Sequence, residues 1–156
     1  MRIRRADISE ASDISSFVLE LAESHIGPTL EEGGLQKLLD SMDTESTSQR
    51  FRDGFPHWIV DEGAQILGVA AVKAPGHLYH LFVTTERQRE GIGRVLLGEA
   101  LRFISEEQNC SLATVNASLN SIEAYKKFGF METSPTMEID GVRFQPMSQS
   151  LSELRD

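Results

Sequence analysis

The sequence predicts an α/β (α+β) fold, a sheet flanked by helices, in one domain over residues 1–156. Three observations predict it. Segments of period-2 alternation and segments with apolar residues at three- and four-residue steps follow one another in the order β-α-α-β-β-β-α-β-α-β-β. Short turns at Glu62-Gly63 and Asp140-Gly141 join neighbouring strands into hairpins. An apolar strand, Leu78 to Val83, runs into Gln88-Arg89-Glu90-Gly91-Ile92-Gly93-Arg94 and out into an amphipathic helix, roughly Ile92 to Ser105.

Arg2 to Ala6 alternates as a first strand. Ser9 is placed to cap the next helix, whose stripe is Ile14, Phe17, Val18, Leu21 and Ala22. Gly27-Pro28 ends it. A second helix is expected from about Leu30 to Met42, weakened by Gly33-Gly34 and therefore kinked or mobile. Asp40 to Gly54 is polar and Ser/Thr-rich, and reads as a flexible stretch. His57 to Glu62 and Gln65 to Lys73 are the strands of a hairpin, and Pro75-Gly76 turns the chain toward His77. After Gly91 the helix carries Ile92, Val95, Leu96, Ala100, Phe103 and Ile104 on one face. Leu112 to Asn116 is a buried strand. Asn120 is a natural N-cap, with Glu123 three residues on, and Gly129 suits the left-handed end of that helix. A last hairpin turns at Asp140-Gly141 and returns over Val142 to Leu151.

The glycine segment carries the chemistry. Two glycines at a strand-to-helix turn let the backbone approach a ligand. The opening N–H groups of a helix lack internal partners and suit a phosphate. No Gly-Lys-Ser/Thr follows, and Leu96 stands where a dinucleotide fingerprint needs glycine. A glycine-started helix without a ligand is the alternative. The segment resembles the pyrophosphate loop of the GNAT (Gcn5-related) N-acetyltransferases, Gln/Arg-x-x-Gly-x-Gly/Ala. A second segment, Val115-Asn116-Ala117-Ser118-Leu119-Asn120 leading to Ala124-Tyr125-Lys126-Lys127-Phe128-Gly129-Phe130, resembles that family's second CoA-side element. The resemblance covers Leu78 to Phe130 closely and the N-terminal half in outline.

The resemblance implies a mixed, mostly antiparallel central sheet with splayed middle strands. It implies acetyl-CoA as co-substrate, with no metal, and a cofactor site formed by Leu81, Phe82, Val83, Gln88, Arg89, Glu90, Gly91, Ile92, Gly93, Arg94, Asn116, Asn120 and Tyr125. The backbone of Leu81 to Val83 would bond the pantetheine amides and polarise the thioester carbonyl.

Transfer to an amine needs a neutral nucleophile, a polarised carbonyl and a proton for the departing thiolate. Tyr125 matches the family tyrosine, and a phenol with an ordinary pKa near 10 is a proton donor at pH 7. Its alternative role is helix packing beside Ile122 and Phe128. His77 falls where several family members place a Glu or His base, and an ordinary pKa near 6.5 suits that task. Strand parity puts His77, Tyr79, Leu81 and Val83 on one face and Leu78, His80 and Phe82 on the other. His80 then reads as packing, and a His77–His80 metal pair is not expected. Some family members that acetylate protein N-termini carry Glu where this chain has Val115. For the acceptor pocket, Glu20, Glu23, His25, Phe144 and Met147 are candidates.

A net charge of −9 argues against nucleic acid and is compatible with a cationic or amine substrate. One cysteine, Cys110, excludes an internal disulfide. No apolar run approaches ~20 residues, so no membrane partner is expected and the default location is cytoplasmic. The edge strand of the last hairpin invites a homodimer. The expected function is therefore acetyl transfer from acetyl-CoA to a primary amine, of a small molecule, by direct attack. The alternatives are a protein lysine or N-terminal acetyltransferase, and a non-catalytic acyl-CoA-binding module.

Overall fold

Apolar side chains point to both faces of one sheet, and helices cover each. The structure, a computed structural model, describes residues 2–87 and 90–151. Strands β1 (Arg2–Arg5), β2 (His57–Glu62), β3 (Gln65–Lys73), β4 (His77–Val83), β5 (Leu112–Ala117), β6 (Met131–Glu132), β7 (Met137–Ile139) and β8 (Val142–Ser150) form it. Their order is β1-β2-β3-β4-β5-β8-β6, with β7 also on β8. Among the described residues every pairing is antiparallel except β4 with β5. That parallel pair is joined only at His77 with Thr114 and Leu78 with Val115, although β4 continues to Val83 and β5 to Ala117. The splayed middle of the sheet, expected from the resemblance, is this early parting.

Helices α1 (Ala11–Leu21), α2 (Glu32–Asp40) and α3 (Thr44–Arg52) cover one face, over a core that includes Ile14, Val18, Ile59 and Val69. Helices α4 (Ile92–Glu106) and α5 (Ile122–Lys127) cover the other, around Leu67, Leu96, Ile104 and Phe130.

The local expectations need several corrections. Asp7, not Ser9, caps the first turn: its carboxylate accepts from the Ser9 N–H at 2.9 Å, and Glu10 closes the box on the Asp7 N–H. The stretch read as flexible contains α3. Asp43 caps it through the Ser46 N–H at 2.7 Å, and Arg50 and Arg52 sit at its negative C-terminal end. Composition hid that helix, and the cap and charge pattern reveals it. On α4, Val95 is 44% exposed, while Leu97 and Leu101 are buried in its place.

Gly34 lies inside a continuous α2 and is buried there. A Cβ on it would overlap the Gly141 carbonyl. The glycine permits close approach of the β7–β8 turn, not a kink. Asp140 and Gly141 both have positive φ, +53° and +81°, as a two-residue hairpin turn of this type requires. Arg143 adds a second tie by donating from its guanidinium to the Thr29 carbonyl at 2.6 Å. The segment joining α1 to α2 thus reaches the last hairpin.

Strand parity fails in β4. Ala71 pairs with His80 but Val72 pairs with Leu78, so Tyr79 is an extra, bulged residue. Leu78, Leu81 and Val83 all pack on the α4 side, and Phe82 packs on the α1 side. The bulge therefore puts His77 with His80 and Phe82, rather than with Leu81 and Val83.

Candidate active site

The parting of β4 and β5 opens a cavity of about 780 Å³ that runs along the sheet. At one end stands the start of α4. Gly91 is its N-cap with φ +86°, a conformation that glycine adopts without strain. A Cβ there would meet nothing within 4 Å, so the space over the loop is open. Among the described residues no side chain is seen to cap these N–H groups, and no acidic residue sits in the first turn. Helix starts often carry one or the other. This start presents free donors and the Arg94 guanidinium, which lies 5.6 Å over the Phe128 ring. The donor set fits a phosphate group.

In the middle, Leu81, Phe82 and Val83 of β4 face Asn116 of β5 and Tyr125 of α5 across the cavity. Tyr125 is buried, edge-on to Phe130 at 5.5 Å and to Phe128 at 6.4 Å. Burial raises its pKa above the ordinary value, so the phenol keeps its proton at neutral pH. His77 is also on the wall. Its Nδ1 is 2.7 Å from Thr114 Oγ1, which orients the ring. Burial, and then the Lys73 charge, lower its pKa. The imidazole is therefore neutral at pH 7 and able to accept a proton.

The far end is walled by Leu38, Ser41 and Met42, by Tyr79 and His80 on β4, and by Arg143 and Phe144 on β8. His25, from the single π-turn (Ala22–Ile26) after α1, is there too, with a buried Nε2 that has no hydrogen-bond partner. The Asn120 amide donates to the His25 carbonyl, linking the roof to the β5 side.

The predicted site residues mostly converge. Leu81, Phe82, Val83, Gly91, Ile92, Gly93, Arg94, Asn116, Asn120, Tyr125 and His77 all line the cavity. Gln88 and Arg89 lie outside the described residues. Glu90 is not on the wall, and its carboxylate accepts from Arg87 Nε at 2.8 Å. Asn120 is not the cap of α5. It sits in a 3-10 turn before it, where its Oδ1 accepts from Ser118 Oγ at 2.9 Å. Of the acceptor candidates, His25 and Phe144 line the cavity, and Glu20, Glu23 and Met147 do not. Sequence reasoning missed Tyr79, His80 as a wall residue, and Arg143. The first two needed the bulge, and the third a contact across more than a hundred residues.

A helix start with free donors, at the mouth of a cleft between two parting parallel strands, is the architecture of an acyltransferase domain. The chain belongs to the GNAT acetyltransferase family: residues 26–151 match the acetyltransferase (GNAT) domain. It is thereby a transferase of the acyltransferase class. An N-acetyltransferase of Schizosaccharomyces pombe is 30% identical over 118 residues, covering 68% of this chain and 72% of that one. N-acetyltransferase family 8 member 3 of Rattus norvegicus is 29% identical over 87 residues, 49% of this chain. The match spans only 38% of the rat protein's length. A GCN5-related N-acetyltransferase from Rhodopseudomonas palustris superposes with a TM-score of 0.78 at 21% identity, covering 96% of this chain and 95% of that one. PaiA N-acetyltransferase from Thermoplasma acidophilum, in complex with coenzyme A, gives 0.75 at 16%, with 96% and 98% covered. YncA from Salmonella typhimurium, with acetyl-CoA, gives 0.72 at 18%, with 97% and 94% covered. At these identities the likeness is one of fold.

Among the described residues, no helix is long and apolar enough to cross a membrane, and no group of three or more His, Cys, Asp or Glu could hold a metal ion.

Proposed function

We propose that this protein transfers an acetyl group from acetyl-CoA to the primary amine of a small molecule, by direct attack within one ternary complex. The observation that carries this is the continuity of one cavity from the start of α4, past Tyr125 and His77, to the roof at His25. The N–H groups at Gly91 to Gly93 hold the pyrophosphate, with Arg94 beside them. The β4 backbone bonds the pantetheine arm and polarises the carbonyl. His77 takes a proton from the amine, directly or through water, and Tyr125 gives one to the departing thiolate. The Gly34–Gly141 contact and the Arg143–Thr29 bond hold the segment joining α1 to α2 against the last hairpin, which narrows the far end. That favours a small molecule over a protein lysine or N-terminus.

Thiol release from acetyl-CoA across a panel of amines tests the activity. A second experiment tests the loop. Gly91→Val forces a β-branched residue to a φ of +86°, at about 1–3 kcal/mol of local strain. The loop should leave its geometry, and calorimetry should show acetyl-CoA binding at least about tenfold weaker, since about 1.4 kcal/mol is tenfold. Unchanged affinity in a folded variant would refute the cradle.

A homodimer belongs to the same reading. The β6 and β7 edge exposes Met131, Met137 and Ile139, at 73%, 44% and 56%. Strand edges with apolar side chains pair with another copy. Light scattering that shows only monomer at tens of micromolar ends the idea.

A further inference from the structure

The acceptor end of the cavity has the wrong charge for a simple cationic amine. The chain holds 24 acidic against 15 basic residues, yet among the described residues no Asp or Glu lines the cavity. Of the cations, Arg94 lines it at the start of α4 and Arg143 at the far end. The net charge of −9 is a property of the outer surface and says nothing of the pocket.

Behind the wall stands a buried cation. Arg50 of α3 is only 9% exposed. Its guanidinium carbon lies 5.0 Å from the centre of the Tyr79 ring, and its NH1 donates to the Tyr79 hydroxyl at 3.4 Å. Its Nε and NH2 are buried and have no hydrogen-bond partner. Among the described residues no carboxylate lies within ion-pair distance. Asp43 feels the Arg50 charge, but its carboxylate caps α3 on Ser46. The groups around it are the rings of Tyr79, His80 and His57, and both histidines are held neutral by burial and by Arg50 itself. A buried charge without a counter-ion is costly. Such a charge behind a cavity wall favours an anion in that cavity.

Tyr79 is the route by which that charge reaches the cavity. It is the bulged residue of β4 and lies on the wall. Its oxygen accepts from Arg50, which leaves the hydroxyl hydrogen to be donated. We propose that the acceptor carries a carboxylate beside its amine, as an amino acid does. The Tyr79 hydroxyl binds that carboxylate, and Arg50 acts through Tyr79 as the positioning residue. The buried cation also disfavours a second positive charge nearby, so the bound ammonium loses its proton more readily.

This inference rests on the small-amine reading above, and the test separates the two. Initial rates of thiol release are measured for primary amines in matched pairs, each an α-carboxylate and its α-carboxamide. The wild type should favour the carboxylate by about tenfold or more in kcat/KM, mostly through KM, as loss of a charge-assisted hydrogen bond implies. Tyr79→Phe, which removes one oxygen, should bring the carboxylate-to-carboxamide ratio near one. Arg50→Lys should restore part of the preference lost in Arg50→Met. Equal or better use of the carboxamides by the wild type overturns the proposal, as does a Tyr79→Phe variant that keeps the ratio. Acetylation only of amines without an acid group overturns the carboxylate site and leaves the proposed function standing. No thiol release with any small amine, in protein that binds acetyl-CoA, overturns both.

Discussion

Tyr125→Phe should lower turnover by roughly 10²–10⁴-fold while acetyl-CoA affinity holds, the range general acid catalysis supplies. The phenol is buried on the cavity wall, and burial raises its pKa. It therefore stays protonated through neutral and mildly basic pH, ready to meet a thiolate. The substitution removes one oxygen and keeps the ring, so the edge contacts to Phe128 and Phe130 should survive. The companion change acts elsewhere on the pH profile. His77 has a pKa below 6.5, because burial and Lys73 disfavour its charged form. If His77 is the base, activity falls as pH drops through that lowered value, and His77→Ala removes the limb. Kinetics across pH, on an active amine, measure both. Full activity in Tyr125→Phe would hand the proton to water and leave the tyrosine a packing residue. An unchanged acidic limb in His77→Ala would leave a water chain as the base.

Mild acid should destabilise this protein before its carboxylates titrate. His57 is fully buried, stacked on Phe51 at 4.1 Å, with Nδ1 on the Phe55 carbonyl at 2.9 Å and Nε2 without a partner. Burial lowers its pKa to about 4, with Arg50 and Arg5 adding to the effect and the Phe55 bond opposing it. In the unfolded chain its pKa is 6.5. Between these values the unfolded state binds more protons, so stability falls as pH falls. The contribution is complete above pH 6.5. About 2 kcal/mol of it is gone by pH 5, and about 3 kcal/mol below pH 4. His80 and His77 are lowered too and act in the same direction. Against a total of about 5–15 kcal/mol this is a large share. The urea midpoint should drop steadily from pH 7 to pH 4.5, and His57→Gln should flatten part of that slope. A midpoint that stays level down to pH 5 would show that these rings take up protons in place.

Much of this fold was legible in the residues because local rules govern it. The hairpin over His57 to Lys73, the Asp140-Gly141 turn, the strand into Gly91 and the helix out of it all follow from periodicity and turn chemistry. So did the pairing of Gly91 and Gly93 with Tyr125 and Asn116, since two ordered motifs at family spacing identify a shared cleft. What failed were inferences that assumed regularity or read composition as conformation. Parity assumes an unbroken ladder, and one extra residue at Tyr79 moved His77 to the face of His80. The Ser/Thr-rich stretch lacked apolar periodicity, yet its caps and its packing against α1 make it a helix.

The sequence by itself determined the family and singled out Gly91, Gly93 and Tyr125 as candidates for one cleft, because each depends on residue type at short spacing. Only the tertiary structure decided the far end of the cavity. Gly34 against Gly141, Arg143 on Thr29, and Arg50 behind Tyr79 join parts of the chain that no local pattern links. The charge of that pocket is set by which few side chains the fold turns inward, not by the total of −9.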